Sequence, residues 1–379
     1  MERKNILRLQ QETADYIEEV YNFQDTWKEQ CSQYNIKKQP SVLPPVARII
    51  VLGDVHGDWD MLMKSLKVAK LIPPTFYEWN PEEKALWIGE DTVVVQVGDQ
   101  IDRCRYNGIS CDLPEATKFD ENSDWKILQY FTALHKEAEK TGGAVYSLMG
   151  NHELMNVMGD MRYVSYEGIR GFGDESIKND DERFKDGDSK RKQLFAPGNK
   201  ISNFLACTRQ MSLIIGSNLF VHAGIIPKIA RKYSVENLNQ LMSLYLWKKI
   251  TKAKYNDIFK SANVSPLWTR VFGKMGINKY SSNSRTENIE NIEKKCETYL
   301  KPLREIYKVD KLYIGHTPLM EHGIGSICND KVWLTDYGAS KGFDKFDTSM
   351  KSDSEERSSY RQAQVLEILK DGDKINILK

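Results

Sequence analysis

Short runs of β-branched and aliphatic residues recur along this chain, and each stops at a glycine followed by polar residues. They are Arg48-Ile49-Ile50-Val51-Leu52, Thr92-Val93-Val94-Val95-Gln96-Val97, Ala144-Val145-Tyr146-Ser147-Leu148, Leu219-Phe220-Val221 and Lys311-Leu312-Tyr313-Ile314. Such runs, bounded by turn residues, read as buried strands. Between the first three lie segments with the helical period. Over 58–70, Trp59, Leu62, Met63, Leu66 and Ala69 fall on one face and Asp58 is placed to cap it. Over 124–140, Ile127, Leu128, Phe131 and Leu134 do the same. Strand and helix alternate up to Asn151, which predicts a layered α/β domain.

The pattern elsewhere is less regular. Residues 6–31 predict a helix with Tyr16, Val20, Phe23 and Trp27 in one apolar stripe, ended by Pro40 and Pro44-Pro45. We read 1–46 as a helical extension packed on a main domain, 47–379; a partner-binding helix is the alternative. Residues 71–91 read as a loop with a short hairpin around Ala85-Leu86-Trp87-Ile88, and 155–164 as a short helix and loop. The polar stretch 167–200, with Gly171, Gly173, Gly187 and Gly198, reads as an irregular insertion: a solvated surface loop or a substrate-shaping lid. A helix and then a strand are expected over 201–215, and helices over 234–263 and 287–308, the last with a solvated Glu/Lys face. The stretch 345–360, rich in Ser, Asp and Glu, reads as a flexible loop. Asp371-Gly372 between two apolar runs predicts a closing hairpin over 364–378.

Composition narrows the partners. With 54 basic and 53 acidic residues the formal charge is +1, so no strong field draws nucleic acid or an anionic membrane. No run approaches the roughly 18 apolar residues of a membrane span, and Met1–Arg8 does not resemble a secretory signal. The 6 cysteines are too sparse for a disulfide scaffold, and only Cys104 and Cys111 are close in sequence. They are expected as unpaired thiols in a reducing cytoplasm, with a Cys104–Cys111 bridge as the minor alternative.

The chemistry sits at the strand ends, where functional groups gather in open α/β sheets. The runs lead into Gly53-Asp54-Val55-His56-Gly57, Gly98-Asp99-Gln100-Ile101-Asp102-Arg103, Gly150-Asn151-His152-Glu153, His222-Ala223-Gly224 and Gly315-His316-Thr317. If these ends converge, Asp54, His56, Asp99, Asn151, His222 and His316 form a ligand set of carboxylate, carboxamide and imidazole. Imidazole favours Mn, Fe or Zn over Mg or Ca. Six ligands exceed one ordinary site and suit two metals about 3.5–4 Å apart, with Asp99 as the shared carboxylate. Such a pair would activate a bridging water as hydroxide for attack on phosphorus. Arg103 is then a phosphate fork, His152 held by Asp102 a general acid, and Glu153 a supporting group. Each motif alone has a bland explanation as a turn or a surface ion pair; packing does not explain their joint occurrence.

These blocks resemble the metallophosphoesterase superfamily, and within it the phosphoprotein phosphatases: Gly-Asp-x-His-Gly, Gly-Asp-x-x-Asp-Arg, Gly-Asn-His-Glu, His-(Gly/Ala)-Gly and a later His, spread over 53–316. The resemblance implies a calcineurin-like fold of two facing mixed β-sheets flanked by helices, a dinuclear metal site, and a second phosphate-binding arginine, for which Arg270 is the candidate. Met149, Ala223 and Leu334-Thr335-Asp336-Tyr337-Gly338-Ala339-Ser340 depart from the eukaryotic Ser/Thr pattern. With Asn156-x-x-Gly159-Asp160-x-Arg162-Tyr163 they resemble the bacterial-like, Shewanella-like branch. That implies a phosphoprotein or phosphopeptide substrate, phosphotyrosine or phosphoserine/threonine, and no obligatory regulatory subunit. Asp336 is a candidate substrate contact or support. Diadenosine polyphosphate hydrolysis and a non-catalytic scaffold are the alternatives.

Overall fold

The computed structural model describes residues 3–280, 289–347, 350 and 356–379. The strands among them are β1 (Val42–Leu43), β2 (Arg48–Leu52), β3 (Val93–Gln96), β4 (Ala144–Leu148), β5 (Arg209–Gln210), β6 (Ser212–Ile215), β7 (Asn218–Val221), β8 (Lys311–Ile314), β9 (Gly325–Ile327), β10 (Val332–Leu334), β11 (Val365–Leu369) and β12 (Lys374–Leu378). They form two mixed six-stranded sheets, ordered β12-β11-β2-β3-β4-β5 and β1-β6-β7-β8-β10-β9. In the first, β2, β3 and β4 run parallel, with Leu52 opposite Gln96 and Gln96 opposite Ser147. In the second, β7 and β8 are parallel. The functional ends of each set therefore lie along one edge of its sheet.

The strand period of two divides the apolar side chains between layers. Ile49, Val51, Val93, Val95, Tyr146 and Leu148 point to one face and pack against Leu213, Ile215, Phe220 and Tyr313 of the second sheet. Ile50, Leu52, Val94 and Val145 point to the other, onto helices at 59–68 and 124–138. The second sheet's outer face, including Leu219, Val221, Leu312 and Ile314, is covered by the largest apolar cluster.

The helices that matter below are α1 (Arg3–Tyr21), α2 (Phe23–Cys31), α3 (Trp59–Val68), α4 (Asp124–Ala138), α5 (Asn151–Val157), α6 (Tyr166–Arg170) and α7 (Asp180–Phe195). Asp58 caps α3 by accepting from Met61 N at 3.0 Å. The closing hairpin pairs β11 with β12, and β11 also pairs with β2.

Several expectations are corrected. The helix at 6–31 is two helices, broken at Asn22, whose φ is 43°. The break turns α2 away, so Tyr16 and Val20 are exposed while Ile6, Ile17 and Phe23 are buried. Residues 85–88 form no strand; Ile88 N bonds Leu71 O instead. The stretch 167–200 is not an irregular loop: it carries α6 and the whole of α7, and Asn179 caps α7 by accepting from Glu182 N. The helix expected from 287 is described from Ile289 to Tyr307, and part of the loop expected over 345–360 lies outside the described residues.

The cysteines are also corrected. They are paired as Cys31–Cys207, Cys104–Cys111 and Cys296–Cys328, with Cα atoms 5.4, 5.8 and 5.6 Å apart, and none is free. Two of the bonds join residues 176 and 32 positions apart, a proximity that only the tertiary fold creates. No helix among the described residues is long and apolar enough to cross a membrane.

Candidate active site

The glycines that end the strands let the loops close on one another. Gly98 has φ 101°, and a Cβ at Gly150 would overlap the Asp99 carboxylate. The residues that follow are less free. His56, Asp99, Asp102 and His316 all hold left-handed backbone, with φ of 47°, 52°, 70° and 68°. A non-glycine residue there stores about 1–3 kcal/mol of strain, so the surrounding bonds must impose it. Val55 N and His56 N both donate to Asp99 O at 2.9 Å. The Glu153 carboxylate accepts from Gly150 N, Asp99 N and Gln100 N at 2.7–3.0 Å and so ties the β3 and β4 loops together. Burial first, and then the Asp99 charge, push Glu153 up to about 7.

Bonds between the sheets complete the frame. His316 N donates to the Asp54 carboxylate at 3.0 Å. His222 Nδ1–H donates to Val97 O at 2.9 Å, which frees Nε2. His56 donates from Nδ1 to Ile101 O, and His316 from Nε2 to Trp268 O, both at 3.2 Å. Each ring thus has one nitrogen anchored and the other available as a ligand.

The available atoms fall into two His/Asp groups that share Asp99: His56, Asp99 and His152, and Asp99, His222 and His316. Asp99 Oδ2 lies 3.8 Å from Nε2 of both His56 and His152, and Oδ1 lies 3.3 Å from Nε2 of His222. Asp54 Oδ2 is 3.7 Å from His56 Nε2, and Asn151 Oδ1 is 2.9 Å from His222 Nε2. Burial raises Asp54 well above the carboxylate range, helped by Asp336 and Asp99. Asp99 is driven the other way: burial would raise it, but His222, His152 and His56 together hold it well below normal. Buried carboxylates this close need positive charge between them. The donor set fits a dinuclear metal site, with one Asp99 oxygen turned toward each group.

His152 also faces Asp102, its Nδ1 2.8 Å from Oδ2. Asp102 Oδ1 accepts from Asn156 Nδ2 at 2.8 Å and from Arg191 Nη2 at 3.3 Å. Asp336 lies buried nearby; burial and the Asp99 charge raise it to about 6, against a bond from Gly338 N.

Arg103 donates from Nη1 to Gly57 O and to Glu121, its Nη2 stands 4.0 Å from Asp58, and its Nε is buried without a partner. Arg270, exposed at the other side, donates to His316 O and Thr317 Oγ1. Two residues were not foreseen. Arg191 of α7 is fully buried and bridges Asp102 and Asp124; a charged helix gives no sign of which arginine turns inward. Arg105 is buried between the rings of Phe343 and Tyr163; only its place two residues beyond Arg103 hinted at it.

Beside this centre lies a cleft of about 770 Å³, lined by Tyr106, Cys111, Arg162, Tyr163, Phe184 and Lys192 among others. Tyr163 belongs to both, since its ring stands 5.0 Å from that of His152.

Known proteins resemble this chain in sequence and in fold. The family model of the calcineurin-like phosphoesterases matches residues 47–320. An uncharacterised protein of Acanthamoeba polyphaga mimivirus is 32% identical over 239 residues, 57% of this chain and 89% of that protein. Shewanella-like protein phosphatase 2 of Arabidopsis thaliana is 26% identical, covering 78% of this chain and 72% of its own length. Shewanella-like protein phosphatase 1 of Plasmodium berghei is 28% identical, with 77% and 67% covered. Among solved structures, the cold-active protein-tyrosine phosphatase of a psychrophilic Shewanella species superposes with a TM-score of 0.57 at 22% identity, over 90% of this chain and 83% of that one. The likeness in structure concerns the fold, and the match in sequence spans most of it: the chain belongs to the calcineurin-like phosphoesterase family, as a distant relative of the Shewanella-like protein phosphatases.

Proposed function

We propose that this chain is a metal-dependent phosphomonoesterase that removes phosphate from phosphorylated proteins, on tyrosine or on serine and threonine. The observation that carries the reading is the pairing of His152 with Asp102 at 2.8 Å beside the two groups that share Asp99. The named phosphatases among its relatives support the protein substrate.

Asp54, His56 and Asp99 would hold one cation, and Asp99, Asn151, His222 and His316 the other; imidazole donors suit Mn, Fe or Zn. When bound, such cations supply Lewis-acid charge that acidifies water and neutralises phosphoryl oxygens. The chain does the rest. Asp102 fixes the His152 ring, so that Nε2 can give a proton to the leaving oxygen. Glu153 keeps the Asp99 loop in register with the Gly150 turn. Arg270 stands at the His316 side, where an anion would enter. The cleft beyond Tyr163 is large enough for a side chain and flanking peptide. With α7 as one wall, the insertion shapes that cleft, and no obligatory regulatory subunit is needed to complete the site. The near-neutral charge gives no support to a nucleic-acid substrate. The three disulfides support an oxidising compartment in place of the cytoplasm that free thiols would imply.

The test is initial rates of the manganese-loaded protein on matched phosphotyrosine, phosphoserine and phosphothreonine peptides, a phosphodiester and a dinucleoside polyphosphate, with Asp99→Asn as blank. Peptide hydrolysis above the blank is expected. Rates confined to the diester or the dinucleotide would overturn the reading.

A further inference from the structure

Arg103 occupies the position that the family pattern gives to a phosphate ligand, yet its Nη1 is committed to Gly57 O and Glu121, its Nη2 stands 4.0 Å from Asp58, and its Nε is closed off from solvent without a partner. Arg105 is placed differently. Its Nη1 donates to Asp102 O at 3.0 Å and Cys104 O at 2.7 Å, which fixes the plane of the group. Among the described residues, Nε and Nη2 of Arg105 have no hydrogen-bond partner, and no carboxylate lies within ion-pair distance of it. The guanidinium carbon stands 4.5 Å from the centre of the Phe343 ring and 5.8 Å from that of Tyr163. Those two rings touch the imidazoles of the centre, Phe343 against His56 at 5.6 Å and Tyr163 against His152 at 5.0 Å. The cation is thereby stacked at the boundary between the metal-ligand groups and the cleft.

Its surroundings agree. The carboxylates of Asp99, Asp102, Asp336 and Asp54 all act on the Arg105 charge, against a larger effect of burial. A guanidinium held rigid on one edge, with its other edge open and without a protein partner, is placed to fork an anion. The loop that carries it is closed by the Cys104–Cys111 disulfide, and Cys104 N is bonded to Tyr163 O at 3.1 Å. Arg105 and Tyr163 are thus held as one unit. We infer that Arg105 is the arginine that grips the substrate phosphoryl group on the His56 and His152 side, forking two oxygens through Nε and Nη2, while Arg270 faces it from the His316 side. The inference rests on the phosphoesterase reading and replaces Arg103 in it; Arg103 becomes the residue that ties the Gly57 turn to Glu121.

The test uses the full chain loaded with manganese, and orthophosphate as the probe. Its dissociation constant is measured by calorimetric titration, and its inhibition constant against p-nitrophenyl phosphate hydrolysis. Arg105→Ala is expected to weaken both on the order of tenfold or more, as loss of a charge-assisted fork requires, and Arg105→Lys to recover part of the loss. Metal content and thermal midpoint should stay at the wild-type value. Arg105→Met, which keeps the stem between the rings, serves if the alanine variant unfolds. Orthophosphate binding by the neutral variants within twofold of wild type overturns the inference, as does a wild-type protein that binds none. If wild type binds orthophosphate through Arg105 but hydrolyses no phosphate ester, the Arg105 assignment stands and the phosphoesterase reading fails.

Discussion

Asp102 divides its oxygens between unlike partners, His152 on Oδ2 and Asn156 with Arg191 on Oδ1. The side chain is fully buried, so its role is to hold the ring rather than to meet substrate. Asp102→Asn should lower kcat by about 10²-fold or more, the usual contribution of a positioned acid, and leave KM and the content of metal nearly unchanged. A parallel rise in KM, or loss of metal, would show that Asp102 acts on the ligand cage instead. At this scale the sequence was informative about residue type and poor about direction. Asp, His and Asn after a strand and a glycine could be read as ligands because packing has no use for them there. Which way an arginine side chain points is set by distant partners: Glu121 captures Arg103, and Phe343 stacks on Arg105.

Among the elements, α7 departs furthest from its sequence. It is strongly polar, yet it buries Gly187, Arg191 and Phe195. Arg191 donates to Asn156 Oδ1, Gly168 O and the carboxylates of Asp102 and Asp124, all within 3.3 Å. Removing one partner of a buried charge network strands the others, at about 3–5 kcal/mol. Arg191→Met should therefore destabilise the chain by that amount in urea unfolding; a loss under about 1 kcal/mol would show that the two aspartates are neutral without it. The core strands and α3 were readable because burial on both faces, or on one stripe, imposes a period. Helix α7 and the break at Asn22 were not, because the first hides a single inward edge among charges and the second depends on one residue's left-handed backbone.

For the molecule as a whole, stability is tied to two cross-linking systems. Thiol titration of the unfolded, unreduced chain should find no free cysteine. The Cys31→Ser/Cys207→Ser double variant, which opens a loop of 176 residues, should lose about 2–4 kcal/mol in urea unfolding; full reactivity of six thiols would contradict the pairing. The second system is the metal cage. Burial keeps His56 and His316 neutral, and above the ordinary imidazole range their protonation no longer changes. Asp54 and Glu153, whose folded values are raised, bind protons that the unfolded chain has released. Above the ordinary imidazole range, stability of the metal-stripped protein should then fall as pH rises through about 7, the folded value of Glu153, since the folded state holds the extra protons until then. Metal replaces those protons, so the gap in melting temperature between loaded and stripped protein should widen over the same range. A constant gap would mean that the carboxylates are not ionised by metal binding.

By itself the sequence determined the five strands that end at the site and the identity of the groups at their ends, because hydrophobic period and turn residues are local. Asp54, His56, Asp99, Asn151, His222 and His316 could be named before any of them was placed. Only the tertiary structure decided what depends on long-range proximity: the three cystine pairs, the division of Asp99 between two groups, the burial of Arg191, and the stacking of Arg105 against Phe343 and Tyr163. In each case the deciding contact joins segments whose separation along the chain carries no trace of their distance in space.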